Sequence, residues 1–131
     1  MRRDLKSRLD VVNSIVPAVY TATATGVGAD LKEADGALVE FNTGAIVASG
    51  LFTPKLQESD DSTTGSDGAW NDVAAADQIG TLANLAASAV QRVAYVGAKR
   101  WVRAVATYVS GTSTAISAVI VRGLHHQQPP A

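Results

Sequence analysis

The stretch KRWVRAVATYVSGTSTAISAVIVRG, residues 99–123, decides the reading of the fold. Trp101, Arg103, Val105 and Thr107 fall on one side of an extended chain, with Val102, Ala104, Ala106 and Tyr108 on the other. After GTS (Gly111–Ser113), Ile116, Ala118 and Ile120 oppose Ser117, Val119 and Val121. Successive side chains of a strand point to opposite faces, so a period of two rich in β-branched residues marks β-structure. The short Gly-bearing connection predicts that these two strands pair as a β-hairpin.

The same period extends outward in both directions. AVQRVAYVG (89–97) sets Val93 and Tyr95 against Arg92. ALVEFN (37–42) sets Ala37, Val39 and Phe41 against Leu38, Glu40 and Asn42, and LFTPKLQES (51–59) sets Phe52 and Leu56 against Thr53, Lys55 and Gln57. Pro54 cannot donate to a ladder, which places its strand at an edge or on a bulge. VYTATATG (19–26) reads as a Thr-rich strand, and ADLKEADG (29–36) as a short edge segment with a turn ending in Gly36. TGAIVASG (43–50) reads as a loop or short strand, and AWNDVAA (69–75) as the return strand of a long hairpin. In ADQIGTLANLAAS (76–88), Ile79, Leu82 and Leu85 have helical spacing, yet Gly80 and the Ala/Ser content fit a loop with one turn equally well.

About eight strands with turn signals every 8–12 residues predict an all-β fold, an antiparallel β-sandwich resembling a jelly roll. The expected domain covers residues 10–123. Residues 1–9, charged and without β pattern, are expected to form a short helix or a flexible arm, and 124–131 a flexible, Pro-terminated tail.

Composition narrows the function. At 131 residues, 47% hydrophobic and 18% charged, the chain has the make-up of one globular domain. It has no cysteine, which excludes disulfides, thiolate zinc sites and thiol nucleophiles. MRRDLKSRLD lacks the apolar segment of a signal peptide, and no run approaches the roughly 20 apolar residues of a membrane span. The expectation is a soluble protein outside the secretory route. A net charge of -1 gives no global pull toward nucleic acid. The charge is divided along the chain: all twelve acidic residues lie at or before Asp77, and only Arg92, Lys99, Arg100, Arg103 and Arg122 follow. Such a split is satisfied either within one fold or between neighbouring copies.

Candidate chemistry is sparse. Glu58, Asp60, Asp61 and Asp67 share a loop with Ser, Thr and Gly. Counted from Asp60, Gly65 falls at the sixth place of a calcium loop, but Ser62 and Asn71 stand where the third and twelfth ligands belong. A solvated turn, whose short polar side chains bond the local backbone, is the better reading. Clustered acids with few aromatics do not make a glycosidase cleft. His125 and His126 point to opposite sides of an extended tail, a weak metal pair. No phosphate-binding, dinucleotide or nucleophile-elbow motif occurs. KRWVR (99–103) has one aromatic among its cations, too few for a stacking platform, so a carboxylate-bearing neighbour is the expected partner. No catalytic, cofactor or metal residue is assigned.

Taken together, KLQESDD (55–61), Trp70 with Asp72, Val73 and Asp77, RVAYVGAKRWVRAV (92–105), GTS and SAVIVRG (117–123) resemble small proteins encoded beside the major capsid gene of tailed bacteriophages. The resemblance spans roughly Asp10 to Gly123. It implies a head decoration, or cement, protein: a small β-sandwich or β-barrel on the capsid exterior, assembled in the host bacterial cytoplasm, with no catalytic residues. Its partners would be the major capsid protein and neighbouring copies of itself, as dimer or trimer, with neither nucleic acid nor membrane involved. Arg2, Arg3, Lys6 and Arg8 of the arm, Asp60 and Asp61 of the loop, and Lys99, Arg100 and Arg103 are the expected interface residues. The rival readings are a head–tail connector or tail component, and a carbohydrate-binding β-sandwich displaying Trp70, Tyr95, Trp101 and Tyr108.

Overall fold

The computed structural model describes residues 4–124, with the Leu124 side chain left aside. The chain runs through β1 (Leu9–Tyr20), β2 (Ala24–Thr25), β3 (Ala29–Asp30), β4 (Ala34–Val47), β5 (Leu51–Ser59), β6 (Asn71–Asp72), β7 (Gln78–Ile79), β8 (Val90–Tyr95), β9 (Trp101–Ser110) and β10 (Ser113–Leu124). One sheet has the order β1-β10-β4-β8-β7. The other has β2-β9-β5-β6, with β3 also on β9. Every ladder is antiparallel. With β2 and β3 taken as one interrupted strand and β7 as an added edge, the connectivity is the interleaved pair of Greek keys of an eight-stranded jelly roll.

The expected hairpin of the last two long strands is not present. β9 pairs with β5, β2 and β3, whereas β10 pairs with β1 and β4, so the two lie in opposite sheets. A short Gly-bearing link specifies a reversal but not the layer that receives the returning strand. Here crossing makes both strands internal to their sheets and turns both apolar faces inward. The β4-to-β5 corner at 48–50 packs on it. A Cβ on Gly111 would stand 2.2 Å from the Ser49 carbonyl oxygen, and Gly111 has φ +83°. Only glycine serves there, on space and on backbone conformation alike.

Three further expectations are corrected by layer changes and strand lengths. VYTATATG is not one strand: β1 ends at Tyr20 and the chain crosses at 21–23 to enter the other sheet as β2. The turn ascribed to Gly36 comes earlier, where the Ala34 N–H donates to the Leu31 carbonyl at 3.1 Å. β4 then runs 14 residues, through Gly36 and on to Val47, because β10 beside it supplies ladder partners along that whole length. Residues 4–8 form a turn in which Asp4 accepts from the Lys6 N–H at 2.9 Å and the Ser7 hydroxyl at 2.6 Å. β1 starts at Leu9.

The inward sets are those the alternation identifies. Val39, Phe41, Phe52, Val102, Ala104, Ala106 and Ile120 are fully buried. Each large apolar side chain so buried contributes about 1.5–3 kcal/mol relative to exposure. Small Ala residues in the internal strands fit between the larger side chains opposite. β6 is the expected return strand, paired at Gln57–Asp72 and Glu58–Asn71, so β5 is an edge at Pro54. No helix forms over 77–88. A 3-10 turn, Ala75–Asp77, precedes β7, and a loop follows in which Leu85 plugs the sandwich edge, its N–H donating to the Phe52 carbonyl at 3.0 Å. The buried Thr43 holds that loop: its hydroxyl donates to the Ala86 carbonyl and accepts from the Ala89 N–H, and its own N–H donates to the Ala89 carbonyl at 2.9 Å.

Candidate interaction surfaces

At one end of the sandwich the chain reversals after β3, β5 and β8 converge, and four of the nine predicted interface residues, Asp60, Asp61, Lys99 and Arg100, lie there. The Arg100 guanidinium forks onto Asp30, donating to its two oxygens at 2.9 and 2.8 Å. Asp60 accepts from the Arg100 N–H at 3.1 Å and pairs with Lys99 at 3.2 Å. Arg122 reaches Asp10 and donates to the Asp30 carbonyl at 2.8 Å. These contacts hold the Asp30 carboxyl below its usual range, chiefly through Arg100, and the Asp60 carboxyl likewise through the Arg100 N–H and then Lys99. Three of the five late cations, Lys99, Arg100 and Arg122, thus meet early carboxylates within one chain. The Lys99 and Asp60 side chains are about half exposed, and solvent-screened pairs of this kind contribute little to stability.

Beneath this cluster, the Tyr95 hydroxyl donates to Glu58 at 2.7 Å and accepts from the Lys99 N–H at 3.1 Å. Burial, reinforced by Glu58, pushes the phenol far above its ordinary value, so it is a neutral strut between β8 and β5.

The acidic loop is built around one carboxylate. Asp67 accepts from the N–H groups of Thr63 and Thr64, at 2.7 and 2.9 Å, and from the hydroxyls of Ser62, Thr63 and Thr64. The Thr63 hydroxyl and these N–H groups lower its carboxyl far below the ordinary value. Its lone pairs are thus committed to the loop itself. Among the described residues no group of three His, Cys, Asp or Glu side chains could hold a metal ion. The loop lies over the outer face of β9. The Gly28 N–H donates to the Gly65 carbonyl at 2.7 Å, and the Trp70 indole covers the Arg103 guanidinium at 4.3 Å. Arg103 also donates twice to Gln57, at 3.0 and 2.7 Å.

Of the nine predicted interface residues, Asp60, Lys99, Arg100 and Arg103 thus have partners inside the chain. Asp61 is exposed beside Asp60, accepting from the Ser59 hydroxyl at 3.4 Å. Lys6 and Arg8 are exposed on the opening turn. Arg2 and Arg3, like His125 and His126, lie outside the described residues. The aromatic side chains do not form a row: Tyr95 and Trp101 are buried, Trp70 is half-buried, and Tyr108 stacks edge-on to Phe52 at 5.6 Å.

A surface that no short motif announces lies on the first sheet. Its register aligns Val11, Val121, Leu38, Ala94 and Ile79 in one row across all five strands. All five point outward, since Ile120, Val39 and Val93 beside them are buried. Val11 is 57% and Ile79 65% exposed. The adjacent row is Asn13, Val119, Glu40 and Arg92, and Val16, Val19 and Val90 add exposed apolar area. The other sheet is the reverse: its outer face carries Lys55–Asp72, Gln57–Asp72 and Thr53–Asn84 contacts and is roofed by the Trp70 loop. The signal was present in sequence as outward Val and Ile, but which of them align depends on register between distant strands.

A trough of about 350 Å³ over β10, bordered by Pro17, Val19, Asn42 and Gly44, has no titratable lining residue. A charged hollow at the polar end holds Asp30, Lys32, Glu33, Arg100 and Arg122, and its arginines are engaged as described. No described helix is long and apolar enough to cross a membrane. Comparison with protein-family models, curated proteins and solved structures gave no match.

Proposed function

We propose that this protein works by holding other protein surfaces rather than by catalysis, and specifically that it is a capsid decoration protein of a tailed bacteriophage, placed on the shell exterior against the major capsid protein. The observation that carries the reading is the apolar row through all five strands of one outer face, set beside polar clusters closed on themselves. Soluble monomers seldom leave a continuous apolar patch beyond a few hundred Å² uncovered, and larger ones mark interaction sites. The resemblance of residues 10–123 to proteins encoded beside capsid genes supplies the partner. On a lattice, modest contacts repeated over many copies gain from avidity. Quantitative mass spectrometry of purified particles tests the proposal. The expected result is hundreds of copies per particle, with particles lacking the protein less resistant to heat or chaotrope. About a dozen copies would identify a connector instead, and absence from particles would defeat the reading.

A further inference from the structure

We propose that residues 60–70 form a hinged strap that lifts off β9 as one body, uncovering Trp101 and Arg103 while the two sheets stay intact. The motion is a property of the fold and does not depend on the capsid reading.

Trp101 is 7% exposed, yet it lies outside the core that Val102 and Ala104 enter from the other face of β9. In the ladders it has Ser59 of β5 on one side and Asp30 of β3 on the other. The strap leaves β5 after Ser59, and its Gly65 carbonyl accepts from the Gly28 N–H, just ahead of β3, at 2.7 Å. It therefore crosses β9 from one neighbour to the other, over Trp101, and sets the Trp70 indole on Arg103. Arg100 completes the cover, 5.6 Å from the Trp101 ring centre. The far seat is shaped for the strap: a Cβ on Gly28 would stand 2.5 Å from the Trp70 ring.

The strap is ordered within itself. Ser62, Thr63 and Thr64 close on Asp67, the Gly65 N–H donates to the Ser62 hydroxyl at 2.9 Å, and the Trp70 indole N–H donates to the Asp67 carbonyl at 2.9 Å. Its two ends adjoin at the Glu58–Asn71 rung, the build of a compact loop packed by its own side chains. At the foot, Asp60 meets Lys99 and Arg100, and the Ser59 hydroxyl accepts from the N–H groups of Asp61 and Ser62. Beyond the foot, one hydrogen bond among the described residues, from Gly28, joins the strap to the sandwich. What lies beneath is incompletely satisfied while covered. The Trp101 indole N–H is buried without a partner, and Arg103 donates to Gln57 but takes no part in the ion pairs of the described residues. Both groups regain water when the strap lifts, which offsets part of the apolar area that lifting exposes. A segment held together internally and joined to its support by few bonds opens as a unit, at less cost than global unfolding.

Amide exchange of the full chain, resolved residue by residue with NMR, tests the motion. The Gly28 N–H, bonded across to the strap, should exchange about a hundredfold or more faster than the buried Ala104 N–H of β9. The Gly65 N–H, bonded inside the strap, should exchange more slowly than that of Gly28. A Gly28 rate no faster than Ala104's would mean that the strap opens only with the sandwich. A Gly65 rate equal to Gly28's would mean that the loop unravels instead of lifting. Either result would overturn the proposal. Fluorescence gives a second reading, because the chain has two tryptophans and Trp70→Phe leaves Trp101 alone. In that background Gly65→Ala places a Cβ 2.7 Å from the Gly28 carbonyl oxygen and forces the strap away. Acrylamide quenching of Trp101 should rise severalfold with the circular dichroism of the sheets unchanged. Unaltered quenching, or loss of the β signal along with it, would equally count against a separable strap.

Discussion

Ser14→Ala tests whether a single hydroxyl joins the two layers. Ser14 belongs to β1 in one sheet, is 2% exposed, and sits at a register shift between Asn13 and Ile15. Its hydroxyl donates to the Val27 carbonyl at 2.9 Å and accepts from the Ala104 N–H of β9, in the other sheet, at 2.9 Å. That N–H lies in the gap between the β2 and β3 ladders, which pair with β9 at 105–106 and 101–102. The hydroxyl thus replaces the missing ladder partner. Alanine would strand the buried Ala104 donor, at about 1–3 kcal/mol, while the Val27 carbonyl, on an exposed residue, recovers much of its loss from water. A total of about 2–3 kcal/mol follows. With an unfolding entropy of about 2.1 cal/mol/K per residue over 131 residues, the melting temperature should fall by about 7–11 °C. Differential scanning calorimetry measures it, with Ser66→Ala, at an exposed loop serine, as a control that should change little. A Ser14→Ala shift no larger than the control's would refute the stitching argument.

Three other outcomes are expected. Tyr95→Phe removes the bond to Glu58 and strands the Lys99 N–H; it should cost about 1–2 kcal/mol in denaturant titration and speed proteolysis within 96–100. Thr43→Val keeps the shape of the side chain but deletes the hydroxyl's two bonds to the 86–89 backbone; amide exchange over 82–89 should quicken by roughly tenfold or more while the core strands stay protected. For Asp67, the folded carboxyl binds its proton less readily than the unfolded one. Its contribution is complete above the unfolded value, near pH 4, and is lost as pH falls through the lower folded value. Asp67→Asn should therefore lose stability at neutral pH and show a shallower decline below about pH 4 than wild type, followed by circular dichroism across the pH range.

The inward faces were legible because alternation is a local property: Val39 and Phe41, Phe52 and Leu56, Val93 and Tyr95 each announce their side of a strand. The acidic loop was legible as a turn for the same reason, since Asp67 bonds residues three to five positions away. The pairing of Arg100 with Asp30 and of Arg122 with Asp10 was foreshadowed only as a division of charge, because spacings of 70 and 112 residues leave no pattern in a short window. Leu82 and Leu85 imitated helical spacing while serving as edge plugs, which periodicity alone does not separate.

By itself the sequence determined that the chain is β-structure, about how many strands it has, which face of each is apolar, and that cysteine chemistry is absent. Only the tertiary structure decided which sheet receives each strand. A reversal such as Gly111–Ser113 costs much the same whether the chain folds back beside its neighbour or crosses to the opposite layer, and the choice is made by distant strands competing for the same ladder edges. From that choice came the register that sets Val11, Val121, Leu38, Ala94 and Ile79 in one line, a surface that exists only once five separate segments are laid side by side.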